Sequence, residues 1–309
     1  MVKGRVLKST GSWYTVIDDS NKEYKCKIRG KLRLKSSKTT NPITVGDMVN
    51  IDVENDGLIG NIVSVDPRKN YIIRKSSNLS REAHVIAANI DQAVLVVTIE
   101  FPETNLVFID RYLATAEAYQ IPAALVFNKV DLYQEDFLQE KLNYYLSIYS
   151  PLYPCLKASA TSGEGLDKIK DLLNNRISLI SGNSGVGKST IINKIEPTLN
   201  LKTADISHYH LMGKHTTTFS EMFPLTDGGY IIDTPGIKGF GLVDMDKREI
   251  FHFFPEIFEV AASCQYKNCT HEHEPSCAVK DAVENNIINP SRYYSYLSIL
   301  DDNRGKYRT

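Results

Sequence analysis

The chain reads as an α/β protein in three parts: an OB-like β-barrel over residues 1–70, a parallel-sheet α/β domain over 71–245, and a helical, metal-binding segment over 246–309. Three observations predict this. Short β-prone runs divided by turn residues fill the first part. From about residue 85, apolar strands alternate with helical segments. Near the C-terminus, three of the five cysteines gather beside histidines.

The barrel strands are expected at Gly4–Leu7, Trp13–Ile17, Glu23–Ile28, Met48–Val53 and Gly60–Val65, with breaks at Thr10-Gly11, Asp18–Lys22, Asn41-Pro42 and Asn55–Gly57. An SH3-like barrel would give a similar pattern. The Ser/Thr/Lys stretch Lys35–Thr40 reads as a loop. Charge is uneven: the net charge is only -1, yet residues 1–40 hold eleven Lys and Arg against three Asp and Glu. Lys25, Lys27, Arg29, Lys31, Arg33 and Lys35 recur at every second position, so an extended chain would present them on one face. That ribbon suits a phosphate backbone, with Trp13, Tyr14 and Tyr24 available for base stacking; the other reading is a strand edge kept soluble by lysine.

In the α/β domain, Ala93–Ile99 is an unbroken apolar run, as for a strand buried on both faces. Leu106–Tyr119 follows as a helix, Ala123–Phe127 as a strand, Phe137–Tyr149 as a helix and Tyr153–Lys157 as a strand. Leu166–Leu173 is then helical and Ile177–Ile180 a strand.

This last strand leads into Gly182-Asn183-Ser184-Gly185-Val186-Gly187-Lys188-Ser189, a G-x-x-x-x-G-K-[ST] loop that opens a helix over Ser189–Ile195. Backbone amides of such a loop point at phosphates, and Thr190 belongs to the same helix N-terminus. Lys188 brings a charge to the β/γ-phosphates and the Ser189 hydroxyl is placed to ligate Mg²⁺. Downstream, the strand Tyr230–Ile232 delivers Asp233-Thr234-Pro235-Gly236, in which a carboxylate can reach the metal through water and the Gly236 amide can sense the γ-phosphate.

Asn128-Lys129-Val130-Asp131 follows the strand Ala123–Phe127. Guanine offers two adjacent donors that one carboxylate, Asp131, can accept, whereas adenine offers no such pair. Asn128 fixes the loop, the Lys129 stem can cover the purine face, and Ser159-Ala160 can offer backbone N–H groups to the guanine O6. The order is rotated, because the base motifs precede the phosphate loop and Asp233 comes last. A parallel sheet survives such rotation when the original termini lie close together. The sequence therefore describes a circularly permuted P-loop GTPase domain binding GTP and GDP.

Cys264, Cys269, His271 and Cys277 form C-x4-C-x-H-x5-C, three thiolates and an imidazole for one structural Zn²⁺, with His273 as a possible substitute. Cys26 and Cys155 sit on apolar strands as buried fillers. Cysteines grouped this way point to a reducing compartment, so the cytoplasm is expected. No run approaches the ~18 apolar residues that span a bilayer, and the N-terminus lacks the apolar core of a secretory signal.

Permuted order, a preceding small barrel, Gly213-Lys214-His215-Thr216-Thr217-Thr218 and the Cys/His cluster together resemble the RsgA (YjeQ) family over essentially the whole chain. The resemblance implies a GTPase acting late in maturation of the small ribosomal subunit, binding its rRNA, with turnover stimulated by the subunit; the chain is expected to be a monomer. The resemblance favours His271 as the fourth zinc ligand. It also implies a switch hydroxyl for Mg²⁺ from Thr216, Thr217 or Thr218, with Thr217 chosen among the three. Ile237 stands where many GTPases carry a Gln that orients water, so His215 is a candidate catalytic residue with Lys188 and Thr217; the other reading makes it a surface histidine. The alternative function is a GTP-dependent RNA-binding switch with negligible turnover. An ATPase is disfavoured by Asn128 and Asp131.

Overall fold

The computed structural model describes every residue except 29–41, 55–56, 76–82, 200–219, 234–246 and 305–309. The chain forms two compact units, one of Met1–Val94, Leu166–Ser184 and Lys188–Phe240, the other of Leu95–Gly165, Gly185–Gly187 and Gly241–Thr309.

The first unit opens with β1 (Val2–Ser9), β2 (Tyr14–Asp18), β3 (Glu23–Ile28), β4 (Met48–Val53) and β5 (Ile59–Val65). They close into a ring in the order β1–β2–β3–β5–β4 and back to β1, with β3 parallel to β5 and the other neighbours antiparallel. This is the Greek-key closure of an OB barrel. Side-chain alternation fixes the register: in β3, Tyr24 and Cys26 face inward while Lys25 and Lys27 face solvent. Val6, Val16, Val49, Ile51 and Ile62 complete the core. A slip of one residue would expose Tyr24 and Cys26 and bury two lysines. At Gly4 an added Cβ would lie 2.6 Å from Val16 Cγ1 and 2.7 Å from the Ile17 carbonyl, so β1 can approach β2 there only as glycine.

A hairpin of β6 (Tyr71–Lys75) and β7 (Ala83–Ala88) follows, in a stretch where no strand was expected. Next comes β8 (Gln92–Val97), buried along its whole length as its apolar run predicts; the boundary between the units falls within it. In the first unit, Gln92 Nε2 donates to Ser178 Oγ at 2.8 Å on β11 (Ile177–Ser181). Strand β11 runs parallel to β13 (Tyr230–Asp233), and β12 (Glu221–Pro224) pairs antiparallel with β13. On its other edge β12 pairs with barrel strand β1, Lys8 opposite Glu221. Helices α3 (Leu166–Leu173) and α4 (Lys188–Ile195) and a 3₁₀ turn over Pro197–Leu199 complete the described helices of this unit.

The second unit carries α1 (Leu106–Ala118), β9 (Ala123–Phe127), α2 (Asp136–Tyr149) and β10 (Cys155–Lys157), with β9 and β10 parallel. Asn105 starts α1 by accepting the Phe108 amide at 2.8 Å, satisfying one of the orphan donors of the first turn. The C-terminal part adds a 3₁₀ turn over Lys247–Phe253, α5 (Pro255–Ala261), α6 (Ala278–Glu284) and α7 (Pro290–Arg304). Its core of Ile250, Phe254, Ile257, Val279, Tyr296 and Ile299 includes Ala114 of α1. Among the described residues, no helix is long and apolar enough to cross a membrane.

Candidate functional site

The phosphate loop begins where β11 ends. Gly182, Gly185 and Gly187 have φ of 146°, 83° and 94°, values that L side chains rarely adopt. At Gly187 an added Cβ would lie 2.4 Å from Asn128 Nδ2, so the residue is held to glycine by space as well as by torsion. Lys188 Nζ donates to the Gly182 and Asn183 carbonyls, both at 2.7 Å, which folds the ammonium back over the loop. Ser189 is buried at the start of α4, beside Ile191 and Ile192 on the same helix. The lysine, the hydroxyl and the positive-φ glycines are the donor set that a nucleotide triphosphate with Mg²⁺ requires.

At the end of β9, Asn128 is almost fully buried and acts as a cross-tie. Its Nδ2 donates to the Val186 carbonyl at 2.7 Å, and its Oδ1 accepts from the Ala160 amide at 3.1 Å. One side chain thus binds the phosphate loop to the Ser159-Ala160 turn. Tyr133 supports it, donating its hydroxyl to the Asn128 carbonyl at 2.8 Å. Lys129 adopts a left-handed φ of 67°, which turns the chain into the 3₁₀ segment Val130–Leu132. Here Asp131 Oδ1 is buried without a hydrogen-bond partner. Leaving such an acceptor unsatisfied costs about 1–3 kcal/mol, and the paired N–H donors of guanine would remove that cost. The Ser159 amide donates to the Glu164 carbonyl at 2.9 Å, so both amides of the turn have partners within the protein. Asp233 ends β13, but its side chain lies outside the described residues, as do His215, Thr216, Thr217, Thr218 and Gly236.

The cysteine and histidine side chains chosen as metal ligands come together. Cys264, Cys269, His271 and Cys277 offer four ligand atoms within 4.8 Å of one another. The Cys277 sulfur lies 3.9 Å from that of Cys264 and 3.7 Å from that of Cys269. His271 Nδ1 lies 3.6 and 3.5 Å from the Cys264 and Cys277 sulfurs. Ordinary Zn–S and Zn–N lengths at tetrahedral angles separate sulfurs by about 3.8 Å and sulfur from nitrogen by about 3.6 Å, so the residues fit zinc. Glu274 shapes this loop, a role with no signature in the sequence. It accepts from the Thr270 amide and hydroxyl, both at 2.7 Å, and from the Glu272 and His273 amides at 3.1 and 3.2 Å. Burial raises its pKa, but these donors outweigh it and hold the carboxyl down at about 2. Tyr296 donates to the Thr270 carbonyl at 2.6 Å and ties the loop to α7.

The outward face of β3 carries Lys25 and Lys27; Arg29, Lys31, Arg33 and Lys35 lie outside the described residues. Trp13 is half-exposed, with the Lys27 ammonium 4.2 Å from its ring centre. Tyr14 and Tyr24 are not available for stacking, because both rings are buried in the barrel core. The alternation that turns Lys25 and Lys27 outward necessarily turns Tyr24 inward. Cys26 is wholly buried and Cys155 partly so, and burial pushes their thiols up to about 11 and about 12.

A phosphate loop that follows its base-recognition motif, carried behind an OB barrel, defines a circularly permuted GTPase. The RsgA GTPase family model matches residues 65–243, and the model of the RsgA N-terminal domain matches residues 3–61. The chain belongs to the RsgA family and is a GTPase. It is 55% identical over 99% of both chains to the small ribosomal subunit biogenesis GTPase RsgA of Phocaeicola vulgatus. It is 56% identical over 99% of both chains to the protein of the same name from Bacteroides fragilis. Crystal structures agree: YjeQ from Thermotoga maritima matches with a TM-score of 0.80 at 35% identity, covering 97% of this chain and 98% of that one. YloQ, a circularly permuted GTPase, matches at 0.78 and 28% identity, covering 100% and 97%.

Proposed function

We propose that this GTPase acts in late maturation of the small ribosomal subunit, binds the subunit and its rRNA, and turns over faster when bound. The ribosomal side of this reading is supported by the names of relatives that match over nearly the full chain. On the nucleotide side, the observation that carries the reading is the buried, partnerless Asp131 Oδ1. In this reading Asp131 reads guanine, Asn128 and the Ser159-Ala160 turn hold the base loop, and the Lys129 stem covers the purine. Residues 182–190 cradle the phosphates, with Lys188 neutralising the charge that develops on the β/γ oxygens. Ser189 and Thr217 hold Mg²⁺, which supplies further charge neutralisation there, and Asp233 supports it. Gly236 senses the γ-phosphate, and His215 orients the attacking water that Ile237 cannot orient. Cys264, Cys269, His271 and Cys277 hold a structural Zn²⁺ in the helical segment 246–309. The outward lysines of the barrel, residues 1–70, contact RNA phosphates, and the chain works as a monomer in the cytoplasm.

Multiple-turnover phosphate release with and without purified small subunits tests the proposal, together with cosedimentation in a non-hydrolysable GTP analogue. Stimulated release and analogue-dependent cosedimentation are expected. Equal rates with and without subunits, and no cosedimentation, would overturn it.

A further inference from the structure

Residues 98–104 form a closed loop outside all of the nucleotide motifs. The Thr104 amide donates to the Thr98 carbonyl at 2.8 Å and Thr98 Oγ1 to the Pro102 carbonyl at 2.5 Å. From α2, Lys141 bridges Glu100 and Glu103 at 3.0 and 2.8 Å. Within the loop Phe101 has φ of 62°, a left-handed conformation unfavourable for an aromatic residue, and remains 54% exposed. A bulky residue held in this region by its surroundings invites a functional explanation.

Two contacts, both within the second unit, aim the loop at the motifs. Lys129 Nζ donates to the Phe101 carbonyl at 2.5 Å. The Pro102 ring faces the phosphate loop, its Cδ 3.4 Å from where a Cβ on Gly185 would sit. We propose that Phe101-Pro102 is a strap that positions Lys129 against the phosphate loop, a positioning element for nucleotide binding. It rests on the reading of residues 128–131 and 182–189 as the nucleotide site.

The physical basis is preorganisation. A lysine side chain has four rotatable bonds, and ordering it on binding weakens affinity. Anchoring its ammonium to a fixed carbonyl lays the methylene stem down before the purine arrives. The conformation at Phe101 directs that carbonyl, and the Pro102 ring sets how closely the strap approaches Gly185. The strap therefore acts through Lys129, and its loss is felt in affinity more than in the hydrolysis step.

The test titrates the full-length, zinc-loaded protein with a fluorescent GDP. Pro102→Ala and Lys129→Met should each raise the Kd about five- to tenfold, a range set by the rotamer freedom restored. In turnover assays Pro102→Ala should raise KM for GTP by a similar factor and leave kcat within twofold. The double variant should bind no more weakly than Lys129→Met alone. Multiplicative losses in the double variant, or a Pro102→Ala Kd within twofold of the parent, would overturn the proposal. Phe101→Gly, which tolerates the same φ but loosens the segment, carries the same expectation if Pro102→Ala does not fold. Asp131→Asn, measured in parallel with GDP and xanthosine diphosphate, separates the two levels. If it reverses the base preference while the strap variants stay silent, the strap alone fails; if the preference does not move, the site reading fails with it.

Discussion

Arg292 Nη1 donates to Asp110 Oδ1 at 2.8 Å across 182 positions of sequence, with the two side chains 1% and 0% exposed. The same guanidinium makes a forked pair with Glu256 at 2.6 and 3.1 Å, and Tyr149 donates its hydroxyl to Asp110 Oδ1 at 2.8 Å. Burial alone would lower the Arg292 pKa, but Asp110 and Glu256 outweigh it and hold the guanidinium charged. The pair fastens α7 to α1 within the second unit. Arg292→Met would strand a buried carboxylate and should lose about 3–5 kcal/mol in urea denaturation. Arg292→Met combined with Asp110→Leu and Glu256→Gln, which removes all three charges, should recover most of that loss. A single variant within about 1 kcal/mol of the parent would show that water reaches the pair.

Asp131 offers a cleaner probe of the nucleotide site, because its buried Oδ1 has no donor within the protein. Asp131→Asn replaces an acceptor by a donor and suits a purine with a carbonyl at C2. GTP affinity should fall by about 10- to 100-fold, the size expected for a charge-assisted hydrogen bond, while xanthosine triphosphate improves. Unchanged affinities for both would remove guanine recognition from this residue.

Most elements could be read from the sequence, and the exceptions share a cause. Where one strand or helix carries its own periodicity, as at Glu23–Ile28, Met48–Val53, Ala123–Phe127 and Leu166–Leu173, the observed bounds coincide with the expected ones. The contiguous phosphate loop and the C-x4-C-x-H-x5-C spacing were legible because their chemistry is local. By contrast β12 is four residues long and ends in Pro224; it is a strand because β13 and β1 flank it. The Arg292–Asp110 pair and the Phe101 strap depend on tertiary neighbours that no spacing announces. Period-two alternation says which residues share a face, not which face is wet, so the pattern alone offers Tyr24 for stacking where the barrel buries it.

The metal cluster predicts about one zinc per chain. Cys269→Ser should abolish tight zinc retention and lower the melting temperature, since binding energy at such a site is folding energy. Glu274→Ala should act more mildly, loosening the loop that its four hydrogen bonds organise. Metal analysis and thermal melts of the two variants check this. A metal-free parent that melts cooperatively at the same temperature would detach the cluster from stability.

The pairing of Lys8 with Glu221 leads to the last prediction. Strand β12 bonds on one edge to β13, which ends at Asp233, and on the other to β1 of the barrel. The barrel is therefore hydrogen-bonded to the strand that flanks β13, with Glu221 opposite both Lys8 and Asp233. Lys8 Nζ lies 3.0 Å from both Glu221 oxygens, but the side chains are 44% and 37% exposed, so the pair contributes only about 0.2–1 kcal/mol. Its value is in register, because like charges placed directly opposite each other disfavour a strand pair. Lys8→Glu or Glu221→Lys should accelerate hydrogen exchange at the β12 amides, with little change in the global melting temperature. The charge-swapped double variant should restore protection, and added salt should shrink all three effects. If the barrel reports RNA contact through this edge, subunit-stimulated phosphate release should fall in both single variants and recover in the swap, while basal release stays level. Protection at β12 that is indifferent to either reversal would show that the backbone pairing holds without the charges, and the coupling idea would lose its lever.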